Sequence, residues 1–214
     1  MKNTETAAPA RRRNRRGEGA KLRDEIIAAA VELLDEEGDE RAVTLRSVAR
    51  RIGIAAPSIY PHFPDQPAIM LAVVRLEFDR LAAVLRTARE GGGQDPRQRL
   101  FAVCHAYLDL AQTHPERYRT MFGGLWIAPA LGESSLTEED LVALGAEALQ
   151  ILTDTLGDCV AEGQSTSTDL ASDAVALWLG LHGLAHQRAV TRAFPWPADI
   201  AERIIGALAH LENT

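Results

Sequence analysis

Cysteine is almost missing from this 214-residue chain. Cys104 and Cys159 are too few for a disulfide framework, and their scarcity points to a reducing compartment. Long apolar runs are missing too. Stretches such as Ala68–Val74 fall far short of the roughly 20 residues that a membrane span requires. The N-terminus is polar and arginine-rich with no apolar core behind it, which excludes a secretory signal. A soluble, cytoplasmic protein with no membrane partner is expected. No alternating strand of useful length occurs, and neither do the glycine-rich nucleotide loops or the Gly-x-Ser-x-Gly elbow. Carboxylates cluster only in charge runs such as Asp35–Glu37 and Glu138–Asp140. Cys104 and His105 are adjacent, so on a helix their side chains diverge by about 100°, wrong for a Cys-His pair. His182 and His186 stand four apart without a nearby acidic third ligand. No enzyme chemistry, metal or cofactor is expected.

The net charge of −7 argues at first against a nucleic-acid partner. Its distribution does not. Residues 1–67 carry twelve Lys or Arg against eleven Asp or Glu, whereas residues 68–214 carry eleven against nineteen and contain no lysine. Arg11, Arg12, Arg13, Arg15 and Arg16 crowd six positions near the start, either a solubilising tail or a DNA-seeking arm.

Glycine and proline clusters separate stretches with a helical period, so the fold is expected to be all-α. The spacing of Ile26, Ile27, Ala30, Leu33 and Leu34 predicts a first helix over about Lys21–Glu37, stopped by Gly38. Thr44 is a good N-cap for a short second helix whose outer side carries Arg46, Arg50 and Arg51. Ile52-Gly53-Ile54 then reads as a turn, and Ala55–Phe63 as a short third helix ended by Pro64. Two short helices about a glycine turn make a helix-turn-helix, whose second helix enters the major groove. Further helices are expected at Gln66–Arg89, Pro96–Thr113, Pro115–Phe122, Leu136–Glu162, Asp169–Arg192 and Pro197–Glu212. The implied organisation is a basic arm (1–20), a helix-turn-helix DNA-binding domain (21–67) and a larger helical domain (68–214).

The stretch from Thr44 to Asp65, with Gly53, Tyr60, His62 and Phe63 between them, resembles the TetR family of repressors. That resemblance implies double-stranded operator DNA as partner, a homodimer, and release by a small-molecule effector. Candidate DNA-binding residues are Thr44, Arg46, Ala55, Ala56, Pro57, Ser58, Tyr60 and His62. Hydroxyls and helix N-termini suit phosphate oxygens, and small alanines let the backbone approach base edges. Phe63 reads as a core plug under the turn. Three positions depart from the family pattern. Ala55 replaces a polar cap, Pro61 sits inside the recognition helix, and Gln66 stands where a phosphate-binding cation is common.

Farther on, Trp178…His182-Gly183 and the segment His114–Gly123 resemble one subgroup of TetR-type C-terminal domains. Tyr107, Met121, Phe122, Trp126, Trp178 and His182 are the candidate effector-binding residues. Aromatic and Met walls around a few polar groups fit a largely apolar effector, neutral or cationic given the surrounding negative charge. The stripes Leu177/Leu181/Leu184 and Ile200/Ile204/Leu208 are expected at a dimer interface, a purely intramolecular core being the alternative. An activator, a regulator answering to a protein partner, or a helical enzyme or adaptor without DNA binding also remain open.

Overall fold

A computed structural model of the chain describes residues 19–123 and 134–212, and every regular element among them is helical. One isolated antiparallel bridge, Ser165 to Leu211, is the sole strand-like pairing among the described residues. These residues divide into two compact units, one of 19–73 with 134–138 and one of 74–123 with 139–212.

In the first unit, α1 (Gly19–Glu37) buries Leu22, Ile26, Ala29, Ala30 and Leu33 along one face. Gly38 ends it at φ +65°, with its N–H on the Leu34 carbonyl at 2.8 Å. A short 3-10 turn, Glu40–Ala42, leads to Thr44. There a capping box forms: the Ser47 N–H donates to Thr44 Oγ1 at 3.0 Å and the Thr44 N–H to Ser47 Oγ at 2.8 Å. The helix it starts, α2 (Leu45–Arg51), buries Val48 and Ala49 and packs on α1. Gly53 turns the chain at φ +71°, which lets the Ile54 N–H reach the Ala49 carbonyl at 3.0 Å.

The third segment departs from the expected regular helix over Ala55–Phe63. It is a 3-10 turn, Ala56–Ser58, followed by further tight turns. Pro61 stands four residues after Pro57, so it has no N–H to give the Pro57 carbonyl where an α-helix needs one. Phe63 alone makes an i−4 bond, to Ile59 at 3.0 Å, while Ser58, Ile59 and His62 bond three residues back. Ile59 and Phe63 are nonetheless buried, and the Arg23 guanidinium lies 5.1 Å from the Phe63 ring centre. Asp65 accepts the Ala68 N–H at 2.9 Å and caps α3 (Gln66–Gly91). Residues of α3 up to Val73 belong to the first unit and those from Val74 to the second.

The second unit continues with α4 (Pro96–Thr113) and α5 (Pro115–Phe122), both as expected. The single helix expected over Leu136–Glu162 is instead two, α6 (Glu138–Val142) and α7 (Ala146–Ala161). Gly145 breaks them at φ +75°, and a Cβ there would come within 2.9 Å of the Phe78 ring. The last two helices, α8 (Leu170–Val190) and α9 (Ile200–Leu208), are shorter than expected. After α9 the chain turns back, and the Thr166 N–H meets the His210 carbonyl at 3.0 Å.

Leu100, Val103, Cys104 and Tyr107 of α4 form the core with Leu152 and Leu156 of α7, and with Leu177, Leu181 and Leu184 of α8. Those α8 leucines, expected at a dimer interface, are therefore interior to the single chain. Ile200, Ile204 and Leu208 pack on the same core. Gly180 makes that closeness possible, because a Cβ there would run into the Leu208 side chain. The large apolar side chains that α8 leaves open are Val175, Leu179 and Val190, spaced by one and then three turns.

Candidate DNA-binding face and effector site

Thr44, Arg46, Ala55, Pro57, Ser58 and Tyr60 are exposed in the first unit, and Ala56 and His62 are half-buried. Alternation within the turns explains this. Ile59 is fully buried while its neighbour Tyr60 is 58% exposed, an unusual placement for so large an aromatic. Arg46 and Arg50 have no ion-pair partner among the described residues. Arg51 differs, for its guanidinium meets Glu36 at 2.5 Å and Glu32 at 3.3 Å, clamping α2 to α1. Among the described residues the three arginines expected on one outer side thus divide into two unpaired cations and one structural cation. Thr44 has its hydroxyl engaged by the capping box. Gln66 faces inward, its amide donating to the Glu40 carbonyl at 3.2 Å.

In the second unit, α4, α5 and α8 bring together Tyr107, Met121, Phe122, Trp178 and His182. Phe122 sits at their centre, its ring 4.8 Å from His182 and 6.3 Å from both Tyr107 and Trp178. Trp126 lies outside the described residues. Two members escaped the sequence reading. Phe78 of α3 meets Phe122 edge-on at 5.4 Å, and Tyr118 of α5 stacks on His182 at 5.5 Å. Tyr118 stands four residues before Phe122, one helical turn, and that spacing was the available signal. Phe78 carried none, because its helix reads as a connector.

His182 supplies the polar centre of this cluster. Its Nδ1 lies 2.6 Å from the Tyr118 hydroxyl and 3.1 Å from that of Tyr107. Burial pushes both phenols above their ordinary pKa. It lowers that of His182, with nearby His186 adding to the effect. All three groups are therefore neutral at pH 7. Glu77, 4% exposed, ties α3 to α5 by bonding Arg80 at 2.5 Å and approaching Arg117 at 3.9 Å.

A family model described as "Tetracyclin repressor-like, C-terminal domain" matches residues 100–211, more than half of the chain. The chain belongs to the TetR family. A second model, described as "Bacterial regulatory proteins, tetR family", matches residues 26–73. This TetR-family chain is 28% identical over 150 residues to the HTH-type transcriptional activator FasR of Mycolicibacterium smegmatis, a match covering 69% of this chain and 64% of FasR. It is 33% identical over 97 residues to the HTH-type regulator YobS of Bacillus subtilis, covering 44% of this chain and 47% of YobS. The match thus spans less than two thirds of either relative. A Rhodococcus sp. RHA1 protein of unknown function superposes with a TM-score of 0.71 at 25% identity, over 90% of this chain and 95% of that one. TetR-family regulators bind operator DNA and dimerise. No helix among the described residues is long and apolar enough to cross a membrane.

Proposed function

We propose that this TetR-family chain is a homodimeric cytoplasmic repressor that leaves its operator when a small, largely apolar effector binds. One observation carries the DNA-binding part: Tyr60, Ser58 and Pro57 stand exposed on a turn anchored by buried Ile59 and Phe63. A rigid base presenting polar side chains is what phosphate and base-edge contacts need. Thr44, Arg46, Ala55, Ala56 and His62 complete the proposed face.

The effector is proposed to bind among Tyr107, Met121, Phe122, Trp178 and His182, with Trp126 as a further candidate. Five of these six come from three helices and converge on one aromatic cluster with a polar centre, the composition that suits a small-molecule site. For the dimer, the exposed side chains Val175, Leu179 and Val190 of α8 support a two-fold contact between copies. Linkage requires that an effector weakening DNA binding a hundredfold itself bind the DNA-bound dimer a hundredfold less tightly, about 2.7 kcal/mol of coupling.

The likeness to FasR, an activator, favours a second reading in which the same dimer promotes transcription. Transcription in vitro from a promoter carrying the bound site distinguishes the two. Repression predicts less transcript with the protein and recovery with effector, whereas activation predicts more transcript with the protein. No effect of the protein at its own bound site would remove both.

A further inference from the structure

Two phenol hydroxyls face the same ring nitrogen of His182. The Tyr107 hydroxyl lies 3.1 Å from His182 Nδ1. The Tyr118 hydroxyl has one proton to give, and His182 Nδ1 at 2.6 Å is a nearer acceptor than the His182 carbonyl at 3.3 Å. The shorter distance fits an O–H donor better than an N–H donor, whose usual separation is about 2.9–3.0 Å. A neutral imidazole has one ring nitrogen that accepts and one that carries hydrogen. With Nδ1 accepting, the hydrogen is on Nε2. Among the described residues Nε2 has no partner, and it is not sealed from solvent, since Trp196 Nε1 is the buried unpartnered side-chain atom there.

We infer that His182 Nε2–H is the donor that recognises the effector, so the effector carries an oxygen acceptor of the carbonyl type on an otherwise apolar body. This rests on the reading of the aromatic cluster as the effector site. Ketones, esters, thioesters and amides share that chemistry. A protonated amine does not, because it would bring a second donor to a donor. The expectation of a neutral or cationic effector is thereby narrowed to molecules with an accepting oxygen. Tyr107 and Tyr118 are positioning residues that hold the ring in this tautomer.

Two measurements on the intact protein test the two readings separately. Nitrogen NMR of histidine-labelled protein at pH 7 should show His182 as a neutral Nε2–H tautomer. Tyr118→Phe should weaken that preference while the fold, read by circular dichroism, is kept. A neutral Nδ1–H tautomer or an imidazolium in the native protein overturns the inference.

The second measurement titrates two matched series, acetophenone, ethylbenzene and 1-phenylethylamine, then undecan-2-one, undecane and undecylamine. Tryptophan fluorescence and the His182 nitrogen signals report binding. Transfer from water alone favours the hydrocarbons, so a preference for the ketones of roughly tenfold marks the hydrogen bond. His182→Phe should abolish that preference. Hydrocarbon or amine binding equal to the ketone in the native protein overturns the inference while keeping the site. Failure of all six probes to perturb His182 counts against the site itself.

Discussion

Ile59 and Tyr60 are neighbours in sequence with opposite surroundings, 0% and 58% exposed respectively. Cutting each to alanine should therefore separate stability from DNA affinity. Ile59→Ala empties a fully enclosed position, at a cost of about 2–5 kcal/mol. For a chain of this length each kcal/mol moves the melting temperature by roughly 2–4 °C, so a fall of about 4–20 °C is expected. Tyr60→Ala removes a side chain with little burial, and its stability should stay within about 0.5 kcal/mol of the native protein. On DNA the order reverses. Removing one polar interaction of about 1.4 kcal/mol per protomer costs a factor of ten, and a two-fold dimer gives it up twice, about a hundredfold in all. Because tyrosine is uncharged, the slope of log affinity against log salt should not change. Thermal melts followed by circular dichroism and fluorescence anisotropy at several salt concentrations read both quantities. A Tyr60→Ala protein that melts like Ile59→Ala would make Tyr60 a structural residue. One that folds and binds normally would remove it from the DNA-binding face.

Three further outcomes follow from the same structure. Leu179→Arg, at a 54% exposed site, should yield folded monomers by light scattering, whereas Leu181→Arg, at a 2% exposed site, should unfold the second unit. A folded Leu179→Arg dimer would place the interface elsewhere. Removing residues 1–18, with their five clustered arginines, should flatten the salt dependence by about 0.9 for every DNA phosphate that the arm neutralises, and an unchanged slope would leave the arm a solubilising tail. Burial pushes the Cys159 thiol up to about 11 and Cys104 higher still. At pH 8 only about one Cys159 in a thousand is thiolate, so neither cysteine should react with a disulfide reagent until denaturant is added.

Much of this was legible in the residues, and the exceptions have physical causes. The starts of α2 and α4 and the turn at Gly53 are local events, set by Thr44, Asp95-Pro96 and a glycine, and sequence reads them directly. Pro61 was visible as an irregularity, but its consequence depends on Pro57 four residues earlier, whose carbonyl it leaves without a donor. The break at Gly145 is tertiary in origin, because the Phe78 ring lies where a side chain would project. Periodicity marked Leu177, Leu181 and Leu184 as one apolar stripe but could not say what covers it. The cover turned out to be the chain's own α4, α7 and α9. In the aromatic cluster proposed as the effector site, Tyr107, Phe122, Trp178 and His182 were named by type and spacing. Tyr118 and Phe78 join through contacts 64 and 44 residues apart in sequence, one to His182 and the other to Phe122.

Selection of bound sites from random double-stranded DNA tests the proposed regulator most directly. A two-fold dimer presenting Thr44 through His62 from each copy predicts one inverted repeat, with half-sites centred about 34–36 Å apart or at a multiple of that spacing. The enriched sequence should disappear with Tyr60→Ala and persist with Trp178→Ala in the absence of effector. No enriched sequence, or a single unrepeated half-site bound by a monomer, would contradict it.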